Sequence, residues 1–391
     1  MLPLEGITVV SLEHAVAAPF ATRQLADQGA RVIKVERPGV GDFARGYDGR
    51  AKGMASHFVW TNRSKESLTL NVKHPQAAPI LRALVAKADV VVQNLAPGAA
   101  ERLGLSFAAL QTDHPGLILC NISGYGSDGP DRDRKAYDLL IQSEAGFLSV
   151  TGDEESPAKA GISVADIAAG MYAYTNILTA LIQRGRTGKG REIDVSMLEA
   201  MAEWMGYPMY YAFDGAAPPP RAGASHATIY PYGPFKAKDG TVMLGLQNER
   251  EWTVFCAAVL GRPELASDSR FASNGSRAAN KSPLAEIIAS TFANLTVAQA
   301  TEKLEAAGIA NARVNDMAGL WAHPQLAARN RWREVETPNG PIPAMIPTGW
   351  GGEDEPCMGP VPELGAHNAT ILQELGFDQA DIDRLSTNGV I

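Results

Sequence analysis

The sequence is poor in the residues that staple, chelate or anchor a chain. Its three cysteines, Cys120, Cys256 and Cys357, are odd in number and far apart, which argues against a disulfide framework and fits a reducing compartment. The seven histidines form no H-x-x-x-H pair and no Cys/His cluster, so no metal site is expected. No apolar run reaches the ~20 residues of a membrane span. Met1 to Val10 carries Glu5 and no basic stretch, so it does not read as a secretion signal and a cytoplasmic protein is expected. Positive charge is also short: 35 Lys and Arg against 43 Asp and Glu leave a net charge of −8. That removes the basic field that gathers nucleic acid or anionic membranes, so an anionic ligand must be held by local residues. Neither a phosphate loop G-x-x-x-x-G-K-[ST] nor a nucleophile elbow G-x-S-x-G occurs.

What is present is the composition of an ordinary globular protein, with 45% hydrophobic and 20% charged residues in a chain of 391, enough for two or three domains. The first half alternates β-rich runs at 7–12, 31–35, 67–72, 89–92 and 117–122 with helical patterns at 18–28 and 75–87. Strands alternating with helices predict an α/β, Rossmann-like large domain with a parallel sheet. Gly29 stands where a helix end needs positive φ, and Pro19 stands near a helix start, where its missing N–H costs nothing. The stretch from Gly215 to Pro220 breaks all periodicity and marks a boundary. A smaller α/β domain is expected beyond it, with strands at 242–246 and 309–314 and helices at 252–260, 284–295 and 297–307, the last opened by a Thr296/Gln299 capping box. After His323 the chain is rich in Pro and Gly until a short helix at 371–375. The expected organisation is a large domain of residues 1–200 plus 330–391, a small domain of 225–325, and linkers at 201–224 and 326–329.

Gly124-Tyr-Gly126-Ser-Asp-Gly129 matches G-x-G-x-x-G after a strand, yet Pro130 and the charged run 131–135 follow where a dinucleotide site needs an apolar helix. The pattern is therefore not read as a nicotinamide or flavin site. His14 follows the first strand, where parallel sheets place their ligands, although a plain loop role fits equally well. From Ser163 to Ile182 apolar residues recur at helical spacing, at 167, 170, 171, 174, 177, 178, 181 and 182, with an expected end near Gly185. Ser163 and Asp166 then fit an S-x-x-D capping box. They also fit a carboxylate held at a helix start and aimed into a cleft as a nucleophile. Spacing does not separate the two.

A resemblance does. The chain resembles class III CoA-transferases, the family of formyl-CoA:oxalate and carnitine CoA-transferases, over nearly its whole length. The matching segments are Gly29 to Arg37, Gly41-Asp42, Asn62 to Lys65, Asp89 to Gly98 with Arg102, Ser123 to Gly126 with Gly129-Pro130, Lys135 to Asp138, Asp166, Gly188 to Gly190, His323 to Gln325, and Leu364 to Asn368. The resemblance implies that Asp166 is the catalytic aspartate, passing through an acyl anhydride and an aspartyl-CoA thioester. A free Asp, with a pKa of about 3.9, would be ionised at neutral pH without tuning. The resemblance further implies that coenzyme A, a substrate and not a resident cofactor, lies along the C-terminal ends of the strands against Val16, Arg37, Leu68, Asn94, Leu95, Ala99, Arg102, Leu103 and Lys135. Tyr137 and Asp138 match a Tyr-acid pair near the active site. An interlocked, ring-like homodimer is implied too, with residues near 221–249 serving the partner's CoA.

Two departures shape the substrate expectation. Where formyl-CoA transferases carry Gln after His-Val, this chain has His14-Ala-Val16, and their glycine-rich loop is replaced by Arg221 to Thr228. Both changes, with 41–48, are similar to the branch handling C4 and C5 dicarboxylates: succinyl-CoA with itaconate, citramalate or mesaconate, or the intramolecular mesaconyl-CoA C1–C4 transfer. An unreacted far carboxylate needs a cationic partner, and Arg45, Arg221 and His226 are nominated, with His14, Tyr137 and Asp138 near the reacting end. An α-methylacyl-CoA racemase is the nearest rival, but it uses a histidine where Tyr137 stands, and an unperturbed Tyr titrates near 10. A non-catalytic acyl-CoA-binding protein is the alternative from another class.

Overall fold

The structure is a computed structural model, and it describes residues 1–351 and 355–391. The chain divides into two compact units, one of residues 1–145, 160–205 and 326–391, the other of 146–159 and 206–325. The segment 146–159, expected in the large domain, groups with the second unit.

In the first unit, β1 (Thr8–Leu12), β2 (Arg31–Glu36), β3 (Lys65–Thr69), β4 (Val90–Gln93), β5 (Ile118–Ser123) and β6 (Glu192–Ser196) form one six-stranded sheet in the order β3-β2-β1-β4-β5-β6. Every pairing in it is parallel. The helices that matter for the site are α1 (Ala17–Asp27), α2 (Asp138–Glu144) and α3 (Val164–Thr187). Strand order reverses between β1 and β4, and the crevice at such a switch point, beyond the strands' carboxyl ends, is where open α/β sheets bind ligands.

The strands sit close to their expected places, with instructive differences. β3 begins at Lys65, not Ser67, because Lys65 and Ser67 point inward and are satisfied there by polar partners, Glu13 and Glu36 respectively. Inward polar residues disguise a strand from hydrophobicity. β6 was not expected: Ile193 and Val195 are buried while Glu192 and Asp194 face out, the alternation of a half-open edge strand. α3 runs through Gly185 to Thr187 and ends on Gly188, whose φ of +71° and N–H bond to Arg184 O close it. Gly29, at φ +97°, does the same after α1.

In the second unit β7 (Tyr232–Lys236), β8 (Thr241–Gly245) and β9 (Ala310–Arg313) make a three-stranded antiparallel sheet. Its core is built on Trp252, Phe255, Phe271, Leu284, Phe292 and Leu304. Both hydrogen bonds of the Thr296/Gln299 capping box are made. Back in the first unit, the Pro- and Gly-rich tail contains a hairpin, β10 (Trp332–Val335) with β11 (Ile342–Met345). It ends in helices Asn368–Glu374 and Gln379–Thr387 that bury Ile371, Leu372, Ile382 and Leu385 against the sheet's core. His367 and Asn368 accept the backbone N–H groups of Ser67 and Thr69 on the edge strand β3, which protects that edge. Among the described residues no helix is long and apolar enough to cross a membrane.

Candidate active site

The site is assembled around the four residues between β1 and α1. Glu13 is fully buried, and its carboxylate accepts from Lys65 Nζ (2.7 Å), Lys34 Nζ (3.3 Å) and Thr22 Oγ1 (2.7 Å). Lys34 also donates to Asp42 (2.7 Å), and Lys65 to Pro19 O in the first turn of α1 (3.0 Å). Two buried cations thus offset two buried anions. Burial alone would raise Glu13, but Lys65 and Lys34 overcome it and hold the carboxyl down at about 2. Burial pulls Lys65 down to about 7 against the attraction of Glu13.

This network shapes the loop. Asp42 Oδ1 accepts from the N–H of Ala15 (2.9 Å) and of Ala44 (2.9 Å), holding Ala15 at φ +62°, a left-handed conformation that costs about 1–2 kcal/mol for a residue with a Cβ. Asn94, just past β4, grips His14 by both backbone groups: its Oδ1 accepts from His14 N–H and its Nδ2 donates to His14 O, each at 2.9 Å. The side chain expected against CoA is therefore spent on fixing the loop. Burial lowers the His14 imidazole below its ordinary pKa, and the ring packs on Phe43 at 4.9 Å.

Asp166 lies in the first turn of α3 and is half-buried. The expected Ser163 cap does not form, since the Ser163 side chain makes no capping bond. Asp138 caps the helix instead, its Oδ1 accepting from the N–H groups of Ala165 (2.8 Å) and Asp166 (3.3 Å). Gln142 Nε2 steadies the other oxygen at 2.6 Å. Relieved of capping, the Asp166 carboxyl faces the backbone N–H of Ala17, the first residue of α1. Burial, and then the charge of Asp138, push its pKa up to about 7, with the Ala17 N–H pulling the other way. The expectation of an ordinary, untuned carboxyl is thus overturned, because the group is desolvated beside a second acid. The hydroxyl of Tyr47 is raised in turn by burial and by the charges of Asp42 and Asp166, which places it by the same carboxylates.

The other sequence candidates fall into groups. Arg45 is not free for a substrate: Nε and Nη2 pair with both oxygens of Glu36 (2.8 and 2.7 Å), further bonds reach Pro362 O, and the guanidinium lies 3.8 Å from the Phe58 ring centroid. Leu68 is fully buried in the core, so its side chain offers CoA no face. Val16 is nearly as buried, at 3% exposure. Arg37, Arg102 and Lys135 are exposed, and the Arg37 guanidinium lies 4.5 Å from the Phe43 ring centroid. Leu95 lines a cleft of about 310 Å³ beyond β4 and β5, with Gly98, Asn121, Ser123, Gly126 and Arg132; Ala99 and Leu103, the first residue and the C-cap of the short helix Ala99–Arg102, are half-buried. The G-x-G-x-x-G stretch is a loop in which a Cβ on Gly124 would stand 2.1 Å from the Ala136 side chain, so that glycine serves the turn toward Tyr137 and Asp138. Tyr137 is 71% exposed. In the second unit Arg221 donates to the carbonyls of Asp153 and Glu154. His226 Nδ1 accepts from Thr228 and Ile229 N–H while its ring stacks on Tyr232.

Sequence reasoning gave no role to Glu13, Lys65, Tyr47 or the Ala17 amide, although Lys65 and Tyr47 fall in matching segments. A linear pattern does not show that Glu13 and Lys65 meet in the interior, and a backbone donor leaves no signal in a side-chain motif. The pattern of CoA-transferase family III matches residues 4–368. Succinyl-CoA:glutarate CoA-transferase of Mus musculus is 34% identical over 399 residues, covering 100% of this chain and 91% of that protein. Succinyl-CoA:mesaconate CoA-transferase of Haloarcula hispanica is 32% identical over 387 residues, covering 95% and 96%. The crystal structure of a CAIB/BAIF family protein from Brucella suis superposes with a TM-score of 0.85 at 32% identity, covering 96% of this chain and 99% of that one. The chain belongs to CoA-transferase family III and is a class III CoA-transferase, an enzyme whose substrates are CoA thioesters.

Proposed function

We propose that the protein moves CoA from succinyl-CoA to a C4 or C5 dicarboxylic acid, with Asp166 as the covalent relay. The observation that carries this reading is a carboxyl freed from capping by Asp138, desolvated, and aimed by one backbone N–H beside the sheet's switch point. The ionised carboxylate attacks the thioester carbonyl of succinyl-CoA; a C–O bond forms, the C–S bond breaks, and CoA leaves as thiolate. The thiolate attacks the Asp166 carbonyl, releasing succinate and leaving an aspartyl-CoA thioester. The acceptor carboxylate displaces CoA to give a second anhydride. CoA thiolate then attacks the acceptor's carbonyl, releasing the product thioester and restoring Asp166. Holding these partners in attack geometry contributes about 7–11 kcal/mol in well-oriented systems.

The names of the relatives favour glutarate, mesaconate and citramalate as acceptors; itaconate is proposed as a further C5 dicarboxylate. Exposed Arg37, Arg102 and Lys135 suit the phosphates of CoA, with Leu95, Ala99 and Leu103 along its path. Tyr137 and His14 flank the reacting end, and Arg221 and His226 are proposed partners of the far carboxylate. A homodimer is proposed as well; it would cover the exposed Trp204, Tyr207, Tyr210 and Phe213.

The test offers succinyl-CoA with glutarate, mesaconate, citramalate, itaconate, oxalate and carnitine in turn. Formation of the dicarboxyl-CoA and free succinate is expected, and transfer to oxalate or carnitine alone contradicts the proposal. Asp166→Ala should lower transfer at least about a thousandfold while CoA affinity stays within a few-fold.

A further inference from the structure

α3 carries a glycine one turn after Asp166, at position 170, in its buried interior. A glycine there destabilises a helix relative to alanine, so it needs a reason. The reason lies in α1: a Cβ built on Gly170 would stand 2.7 Å from the carbonyl oxygen of Ala17 and 2.9 Å from Cδ1 of Phe20. Residues four apart share a helix face, so the surface that admits α1 at Gly170 is the surface that presents Asp166. Ala17 thus meets α3 with its carbonyl at Gly170 and turns its N–H toward the Asp166 carboxyl one turn earlier.

We propose that Gly170 is a positioning residue for transfer: by admitting the Ala17 backbone against α3 it brings the Ala17 N–H onto Asp166 and holds the carboxylate in its attacking orientation. The proposal rests on Asp166 being the nucleophile. Gly185, in the same helix, supplies a control, because a Cβ there meets nothing within 4 Å. The groups facing Asp166 are the Asp138 carboxylate from α2, the Tyr47 hydroxyl and the Ala17 amide from α1. Withdrawing the amide removes the one that favours the ionised form.

The experiment compares Gly170→Ala and Gly185→Ala by thermal melting, by kcat and KM for succinyl-CoA, and by the acid limb of the kcat/KM profile. Gly170→Ala is expected to lower kcat about a hundredfold, the scale of a 1 Å misplacement. KM should stay within a few-fold, and the acid limb should move to higher pH. Gly185→Ala should leave all three unchanged. An unchanged kcat in Gly170→Ala, a loss without a shifted limb, or an equal loss in Gly185→Ala overturns the proposal. If Gly170→Ala does not fold, replacing Ala17 by lactic acid exchanges the same N–H for an ester oxygen; the limb should again move up, and an unmoved limb overturns the proposal. Asp166→Ala separates the two ideas: retained transfer there defeats the nucleophile, whereas its loss beside a fully active Gly170→Ala defeats only the positioning role.

Discussion

Glu13 and Asp166 are two acids that both face α1, and burial acts on them with the same sign. Glu13 is surrounded by two buried lysines and a threonine hydroxyl and is held at about 2. Asp166 has one backbone donor and a second carboxylate for company and is raised to about 7. Partners, not depth, decide the difference. The first acid is a neutralised strut under the loop that forms the site; the second is left poorly satisfied beside that loop. Strongly perturbed acids of this second kind cluster at functional sites.

The contrast can be broken by removing a partner. Glu13→Gln leaves Lys65 without its bonded carboxylate and Lys34 with Asp42 as its bonded one, and breaking a buried pair in this way costs about 3–5 kcal/mol. A large fall in melting temperature is expected, and a neutral result would mean the strut is not charged. The pH profile sharpens the other side. Because Asp166 must be ionised to attack and titrates near 7, kcat/KM should fall on acidification, to about a hundredth of its alkaline plateau at pH 5 if this group alone limits. An ordinary aspartate would lose little there. Asp138→Asn removes the like charge and should move the limb to lower pH. The smallest effect is on stability. A carboxyl with a raised folded pKa supports the fold below its unfolded value near 4 and loses that support as pH rises through about 7. Asp166→Asn should therefore stabilise the protein at pH 8 by about 1–3 kcal/mol after screening by solvent, and do nearly nothing at pH 3. Denaturant titrations at the two pH values check it.

Much of the sheet was legible because runs such as Val90 to Val92 are apolar on both faces, as buried parallel strands must be. β6 and the β10–β11 hairpin escaped since an open edge or a proline weakens that signal. Asp166 itself was visible through family resemblance, while its spacing from Ser163 pointed equally to a cap. Only the fold shows that a carboxylate 28 residues earlier does the capping. Arg45 reads as a free cation in sequence and is consumed by Glu36 in the fold. Gly170 did carry a trace, a glycine on the apolar face of a helix, but its partner on α1 is 153 positions away in sequence and needs the packing to be seen.

The central claim is that one desolvated carboxyl forms the covalent intermediates. Quenching succinyl-CoA turnover with hydroxylamine, digesting the protein and mapping the adduct by mass spectrometry tests it most directly. The account requires a hydroxamate on Asp166, absent without succinyl-CoA. An adduct on Asp138, or continued turnover with no adduct on Asp166, would contradict it.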